Sequence, residues 1–364
     1  MISAIVLVLA LYCSWLLILT YALPKVKANN RESKSTPTVA VVVPFRNEME
    51  NLEQLVNSLK GLKYDALLEV FLVNDHSEDE FLHLLSNLPD HFKLLHLPST
   101  SYGKKAALAL GISQSSAEII ITTDADCSFQ SHWVYSFISY FQNNKVKLVF
   151  GGVKFKEESS FWKKLQTVEF APVIGVGAAS AALGYPIMCN GANLAFRKSV
   201  FDEVEGYNGN DRIASGDDEF LMFKIHHKYP KSVVFNRDNE SVVETEATSN
   251  LRSFIQQRKR WASKWSSNTG GYKLVTAVLV TLSAFASLAA FIVLAFSSTN
   301  YFLLGLLIIK MIIEGMFIAK VNQHLKKKFY FLPFIFLQFV YPFYGISMVF
   351  ISNFGKYHWK GRVH

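Results

Sequence analysis

Ile119-Ile120-Ile121-Thr122-Thr123-Asp124-Ala125-Asp126 is the stretch on which the fold turns. Its β-branched first half reads as a short strand buried on both faces, and such strands belong to parallel sheets covered by helices. Its end carries two carboxylates, one residue apart, out of the sheet and into a loop. Aspartate is common in plain turns. Paired at the end of a buried strand, though, Asp124 and Asp126 suit Mg2+ or Mn2+. Such ions take one or two protein carboxylates and complete their shell with water and substrate phosphate oxygens.

Working outward, Val39-Ala40-Val41-Val42-Val43 is another such strand. It is followed from Asn47 to Leu62 by Leu52, Leu55, Val56 and Leu59 at helical spacing. Glu69–Val73 and Lys93–Leu97 predict further strands, and Lys104–Ser113 a helix leading into the strand that ends at Asp124. This βαβ rhythm predicts an α/β domain with a mainly parallel central sheet that binds ligands at the carboxyl ends of its strands. The polar clusters Pro44–Glu48, Asn74–Asp79 and Asp124–Asp126 all fall at those ends.

Each cluster has a plain and a chemical reading. Pro44-Phe45-Arg46-Asn47-Glu48 is a proline turn, or a backbone and guanidinium cradle for a nucleotide. Asp75 closes a strand, or accepts hydrogen bonds from a base or ribose. In Gly103-Lys104-Lys105 a cation opens a helix against its dipole, which calls for a nearby anion such as a phosphate. Gly216-Asp217-Asp218-Glu219 complements a helix start, or supplies a general base. Crowding of its three carboxylates is expected to raise at least one pKa. Gln257-Arg258-Lys259-Arg260-Trp261 precedes an apolar stretch and suits a membrane-interface belt.

The chain has 364 residues, half of them hydrophobic. Residues 1–23 are apolar and uncharged, followed by Lys25, Lys27, Arg31 and Lys34. They predict a retained membrane anchor with the next segment on the cytosolic side, a linker over 24–37 and a soluble domain over 38–270. Leu274–Ser297, Tyr301–Ala319 and Phe331–Ile351 predict about three more spans within 271–352, with a basic tail over 353–364. Parity would put that tail outside, whereas its charge prefers the inside. Pro333 and Pro342 leave a kinked or re-entrant last segment as an alternative. Lys310 and Glu314, four apart inside a span, read equally as a functional pair or an internal ion pair.

Net charge is +8, but from Lys273 onward nine basic residues face Glu314 alone, leaving 28 of each sign before it. The soluble part is therefore balanced and carries no stripe for nucleic acid; the excess suits anionic membrane lipids. Three scattered cysteines exclude a disulfide framework. Cys127, beside the acidic pair, reads as a small core filler ahead of a metal ligand.

The ordered set Val-Val-Val-Pro-Phe-Arg-Asn-Glu, Val-Asn-Asp, Gly-Lys-Lys-Ala-Ala-Leu, Asp-Ala-Asp, Gly-Asp-Asp-Glu and Gln-Arg-Lys-Arg-Trp resembles inverting glycosyltransferases of family 2, over about residues 38–265. The resemblance implies a GT-A fold, a nucleotide-sugar donor, by family preference UDP-linked, and Mg2+ or Mn2+. It implies that Pro44, Arg46, Glu48, Asp75, Lys104 and Asp124 bind the nucleotide sugar and that Asp126, with Asp124, holds the metal. Asp218 would be the catalytic base, with Asp217 standing where glutamate is common. Gln257, Arg260 and Trp261 would brace the diphosphate and acceptor entrance, and Asn190 and Gly191 would lie near the acceptor. Membrane segments next to such a site lead to a multi-pass cell-membrane enzyme acting on a lipid acceptor. A processive polysaccharide synthase is the alternative, and a transporter or scaffold the non-enzymatic one.

Overall fold

The computed structural model describes residues 2–25, 36–156, 159–209, 216–262, 271–296, 300–353, 358–359 and 362–363. Most of the 24–37 linker and of the basic tail, with Ser297–Thr299, lies outside these residues. The chain opens with helix α1 (Ile2–Ala22) and then enters an alternating region. This runs β1 (Val39–Phe45), α2 (Met49–Lys60), β2 (Leu68–Asn74), β3 (Phe92–His96), α3 (Lys104–Gln114), β4 (Ile119–Thr122) and α4 (Trp133–Phe141). Next come β5 (Leu148–Phe150), β6 (Val153–Phe155), α5 (Phe161–Ala182), β7 (Leu194–Arg197), α6 (Lys198–Glu203) and α7 (Asp217–Lys228). Strands β8 (Val233–Phe235) and β9 (Val243–Thr245) lead to α8 (Leu251–Ala262), α9 (Gly271–Phe296), α10 (Tyr301–His324) and α11 (Phe331–Asn353).

The expected parallel sheet is present. Seven strands lie in the order β3-β2-β1-β4-β7-β5-β8. Every neighbouring pair is parallel except those made by β7, which runs antiparallel to β4 and β5. The first three strands step one way and β4 returns to the far side of β1. That reversal opens a crevice at the carboxyl ends of β1 and β4, where such sheets bind ligands. Every residue of β1 and β4 is buried, as their unbroken apolar runs require.

Asn193 closes the sheet against its flanking loops. Trp133 Nε1 donates to Asn193 Oδ1 at 3.0 Å, while Asn193 Nδ2 donates to the carbonyls of Gly152 and Ser241 at 2.8 and 2.7 Å. Gly151 packs so closely that an added Cβ would lie 2.3 Å from Asn193 Nδ2.

Five helices among the described residues are long and apolar enough to cross a membrane: α1, α5, α9, α10 and a stretch of α11. The sequence reading gives four; α5 is the addition. It is the least hydropathic of the five, with Lys163, Lys164 and Glu169 in its first half. It is also far more buried than the others, packing on β8 as well as on α1, α10 and α11. Gly175 permits the closest approach: a Cβ there would meet Val321 at 2.4 Å and Phe317 at 2.7 Å. Thus α5 joins the sheet to the apolar helices. Lys310 and Glu314 form an ion pair at 2.7 Å, and Tyr12 of α1 donates to the same carboxylate at 2.8 Å. The last apolar segment is one continuous helix through Pro342.

Replacing Asn193 with alanine strands the Trp133 N–H and two carbonyls in the core. At roughly 1–3 kcal/mol for each unsatisfied group, the expected loss is about 3 kcal/mol or more. Chemical denaturation of the detergent-solubilised protein measures it, and an unchanged midpoint would refute the cross-tie.

Candidate active site

The site is built from Asp75 outward. It follows β2, and its Oδ2 accepts from the N–H of Gly103 at 3.1 Å. Gly103 holds φ at +94°, a conformation suited to glycine, and this fixes the start of α3. Lys104 is the first residue of that helix, so Asp75 sets the position of its ammonium group.

The Lys104 ammonium lies 2.7 Å from Asp124 Oδ1 and 3.6 Å from Asp217 Oδ2. Burial acts to depress the Lys104 pKa, but Asp124, Asp217 and Asp218 outweigh it and hold it well above its ordinary value. The anion demanded by a lysine at a helix start is therefore supplied by the chain itself. Residues from α3, the β4 loop and α7, far apart in sequence, converge on one point.

Asp218 is tied from another direction. Its Oδ2 accepts from the N–H of Gly191 at 2.9 Å and its Oδ1 from the N–H of Glu219 at 2.8 Å. The Gly191 carbonyl in turn accepts from Thr122 Oγ1 of β4 at 3.0 Å. Asn190 Oδ1 braces this turn by accepting from the N–H of Ala192. Glu219 turns away to Lys273, 2.6 Å distant at the start of α9. Within the triplet, Asp217 faces Lys104, Asp218 is held by the backbone of Gly191 and Glu219 while also acting on Lys104, and Glu219 pairs with Lys273.

Asp126 Oδ2 accepts from Thr245 Oγ1 at 3.2 Å, placing it on the β9 side of the crevice. Cys127 is buried behind the pair, and burial, with Asp126 and Asp124 nearby, pushes its thiol pKa up. It remains a neutral thiol, as expected of a core filler. Among the described residues, no group of three or more histidine, cysteine, aspartate or glutamate side chains is arranged to hold a metal. Two carboxylates facing a crevice fit an ion that draws its other oxygens from a diphosphate and water. Asp124 remains open enough for this, its side chain 38% exposed.

The remaining expected residues fall into two groups. Pro44 lies on β1 opposite Val73, and Glu48 accepts from Asn51 Nδ2 at 2.7 Å. Arg46 donates to the carbonyls of Asp75 and His76 and pairs with Glu78 at 2.7 Å, so it shapes the loop after β2. Gln257, Arg260 and Trp261 lie on α8, whose described contacts run to α5 and α11. Trp261 packs against Phe170, and Gln257 accepts from Arg258.

Sequence reasoning missed Arg258, the residue inside the Gln-x-x-Arg-Trp pattern that anchors α8. Its guanidinium forks onto Glu169 of α5, with its plane 4.3 Å from the Trp261 ring. It also missed His76 and Tyr102, whose rings stack at 4.5 Å beside Asp75. No spacing signal marks either feature; both depend on the folded chain.

Residues 40–205 match the family described as glycosyl transferase family 2. They are a family 2 glycosyltransferase domain. Among curated relatives, the poly-beta-1,6-N-acetyl-D-glucosamine synthase of Staphylococcus epidermidis is 29% identical over 199 residues, 54% of this chain and 47% of that protein. The enzyme of that name from Staphylococcus aureus is 29% identical over 183 residues, 50% and 43% of the two chains. The chain therefore matches about half the length of these relatives. Among solved structures, a mannosyltransferase of Pyrobaculum calidifontis in complex with GDP-Man and Mn2+ superposes with a TM-score of 0.59 at 17% identity. The match covers 89% of this chain and 99% of that one. This likeness establishes the GT-A fold of the family 2 domain.

Gly191 is the tightest point of the site. A Cβ there would meet Asp217 Oδ2 at 3.1 Å, Asp218 Cβ at 3.3 Å and Lys104 Nζ at 3.3 Å. Gly191→Ala is expected to destabilise by about 1–3 kcal/mol through this crowding. Gly305→Ala, where nothing lies within 4 Å, serves as the control. Thermal melts of both in detergent test this, and equal midpoints would contradict the packing described.

Proposed function

We infer that this chain is a membrane-bound glycosyltransferase that moves a sugar from a nucleotide-sugar donor to an acceptor hydroxyl, with its catalytic domain on the cytosolic side. The observation that carries the reading is the convergence of Lys104, Asp124, Asp217 and Asp218 at the switch point of the sheet, Asp126 standing two residues from Asp124. Asp124 and Asp126 would hold Mg2+ or Mn2+, which would neutralise charge on the donor diphosphate. Lys104 then exchanges its carboxylate partners for phosphate oxygens, keeping one cation at the centre of the site. His76 and Tyr102 offer a flat face for the base beside Asp75.

Asp218 is the base. Its backbone donors hold the carboxylate in one orientation, facing the acceptor turn at Asn190-Gly191. It takes the proton of the acceptor hydroxyl as that oxygen attacks the anomeric carbon. The bond to the departing diphosphate breaks on the opposite face, and the configuration inverts in one displacement. Asp217, beside Lys104, keeps that ammonium directed into the site.

For the acceptor, the two curated relatives favour a growing polysaccharide over a single lipid. That makes polysaccharide synthesis the leading reading, in place of the lipid acceptor expected from the sequence. One observation supports the lipid reading. The cavity enclosed by α1, α5, α9, α10 and α11 is only about 120 Å³, small for a polymer path. UDP is the expected carrier under either reading.

Asp218→Asn is expected to lower the turnover of sugar transfer by about 10²–10⁴-fold, the range a positioned base contributes. Asp126→Asn or chelation should abolish transfer, with Mn2+ or Mg2+ restoring the chelated wild type. Product sizing with a radiolabelled nucleotide sugar separates the acceptors, a ladder marking polymer and one organic-extractable species marking lipid. Transfer that survives both substitutions in folded protein would refute the mechanism.

A further inference from the structure

A second cleft, of about 890 Å³, lies on the side of α7 away from the carboxylate site. It is bounded by α7, the segment Tyr185–Ile187 and the first turn of α9. Lys224, His226, His227 and Lys228 line it; no carboxylate is among the described lining residues, although Lys228 pairs with Glu203 at 2.7 Å, so Lys224 and the two histidines carry the argument. Lys273 forms the floor, wholly buried and paired with Glu219.

Basic residues in the last turn of a helix complement its dipole, and that accounts for part of the cluster. It does not account for Lys224. This ammonium sits a turn earlier and donates to two neutral acceptors, the carbonyls of Gly206 and Asn208 at 3.0 and 3.3 Å. Burial depresses its pKa and Glu205 offsets this only in part, so an anionic oxygen would relieve its desolvation. His226 adds an Nδ1 that is buried with no hydrogen-bond partner.

The position of the cleft indicates its occupant. Tyr272 stacks on Tyr185 with centroids 4.1 Å apart, and both rings are exposed. Leu274 and Val275, just beyond, are more than half exposed where α9 becomes an apolar helix. Exposed tyrosines followed at once by exposed aliphatic residues mark the water–lipid boundary. Phe220, Phe223 and Ile187 give the cleft apolar walls suited to a glycerol backbone and the start of an acyl chain.

We propose that this cleft is a binding site for the phosphate headgroup of an anionic membrane phospholipid, with Lys224 and His227 as its principal ligands and Tyr185 and Tyr272 at its lipid-facing rim. It lies apart from the transfer chemistry and does not depend on the proposed reaction. The test uses full-length protein in detergent, offered phosphatidylglycerol or phosphatidylcholine, with bound lipid counted by native mass spectrometry. Wild type is expected to retain one phosphatidylglycerol with a Kd at least tenfold below that for phosphatidylcholine. Lys224→Gln and His227→Glu should each remove that preference. His227 is exposed, so its substitution changes the charge of the rim without entering the core. Equal retention of both lipids, or an unchanged preference in a folded His227→Glu variant, would overturn the site. So would displacement of the lipid by an equal concentration of inorganic phosphate, which would make it a site for free anions.

Discussion

The ammonium group of Lys104 is the constraint on which the site depends. Asp124 and Asp217 come from elements 93 positions apart in the chain and meet only because a cation stands between them. Without it, carboxylates brought to one partly buried point would repel one another and lose hydration together. Loss of the lysine would fall hardest on Asp217, whose side chain is far more buried than that of Asp124. The chain fixes the lysine early, through an aspartate after β2, a glycine with positive φ and the first turn of α3. The geometry needed for chemistry is thus maintained by the same contact that makes the apo site electrostatically stable.

Much of this was legible in the sequence. The β-branched runs of β1 and β4 fixed a parallel sheet, because only strands covered on both faces can be apolar throughout. Paired aspartates at a strand end, and a lysine opposing its own helix dipole, pointed to the crevice. The part that was not legible is long-range and depends on direction. Nothing in Gly-Asp-Asp-Glu tells that Asp217 faces Lys104, that Asp218 is held by the Gly191 backbone, or that Glu219 turns to Lys273. Nor does the sequence tell that the charge within α5 faces protein, where Glu169 meets Arg258 and Tyr344.

Glu169 also explains how the soluble and apolar parts are joined. Through Arg258 it holds α8, and through Tyr344 it holds α11. One buried carboxylate therefore sets the relation between the segment ending in Trp261 and the helices beneath it. The Glu219–Lys273 pair makes a second joint, between α7 and α9. Two joints at separate points resist rotation of the catalytic part about either one.

The contact among Tyr12, Lys310 and Glu314 also bears on the order of assembly. Glu314 finds its cation one turn away on its own helix, so α10, were it to enter hydrocarbon, would do so already neutralised. Tyr12 must wait about 300 residues of synthesis for its acceptor, and a lone phenol on an apolar helix would cost little in the meantime. The late partner carries its own compensation and the early one needs little. Integration of the first helix is thereby decoupled from completion of the bundle, and the hydrogen bond between them serves as a final latch.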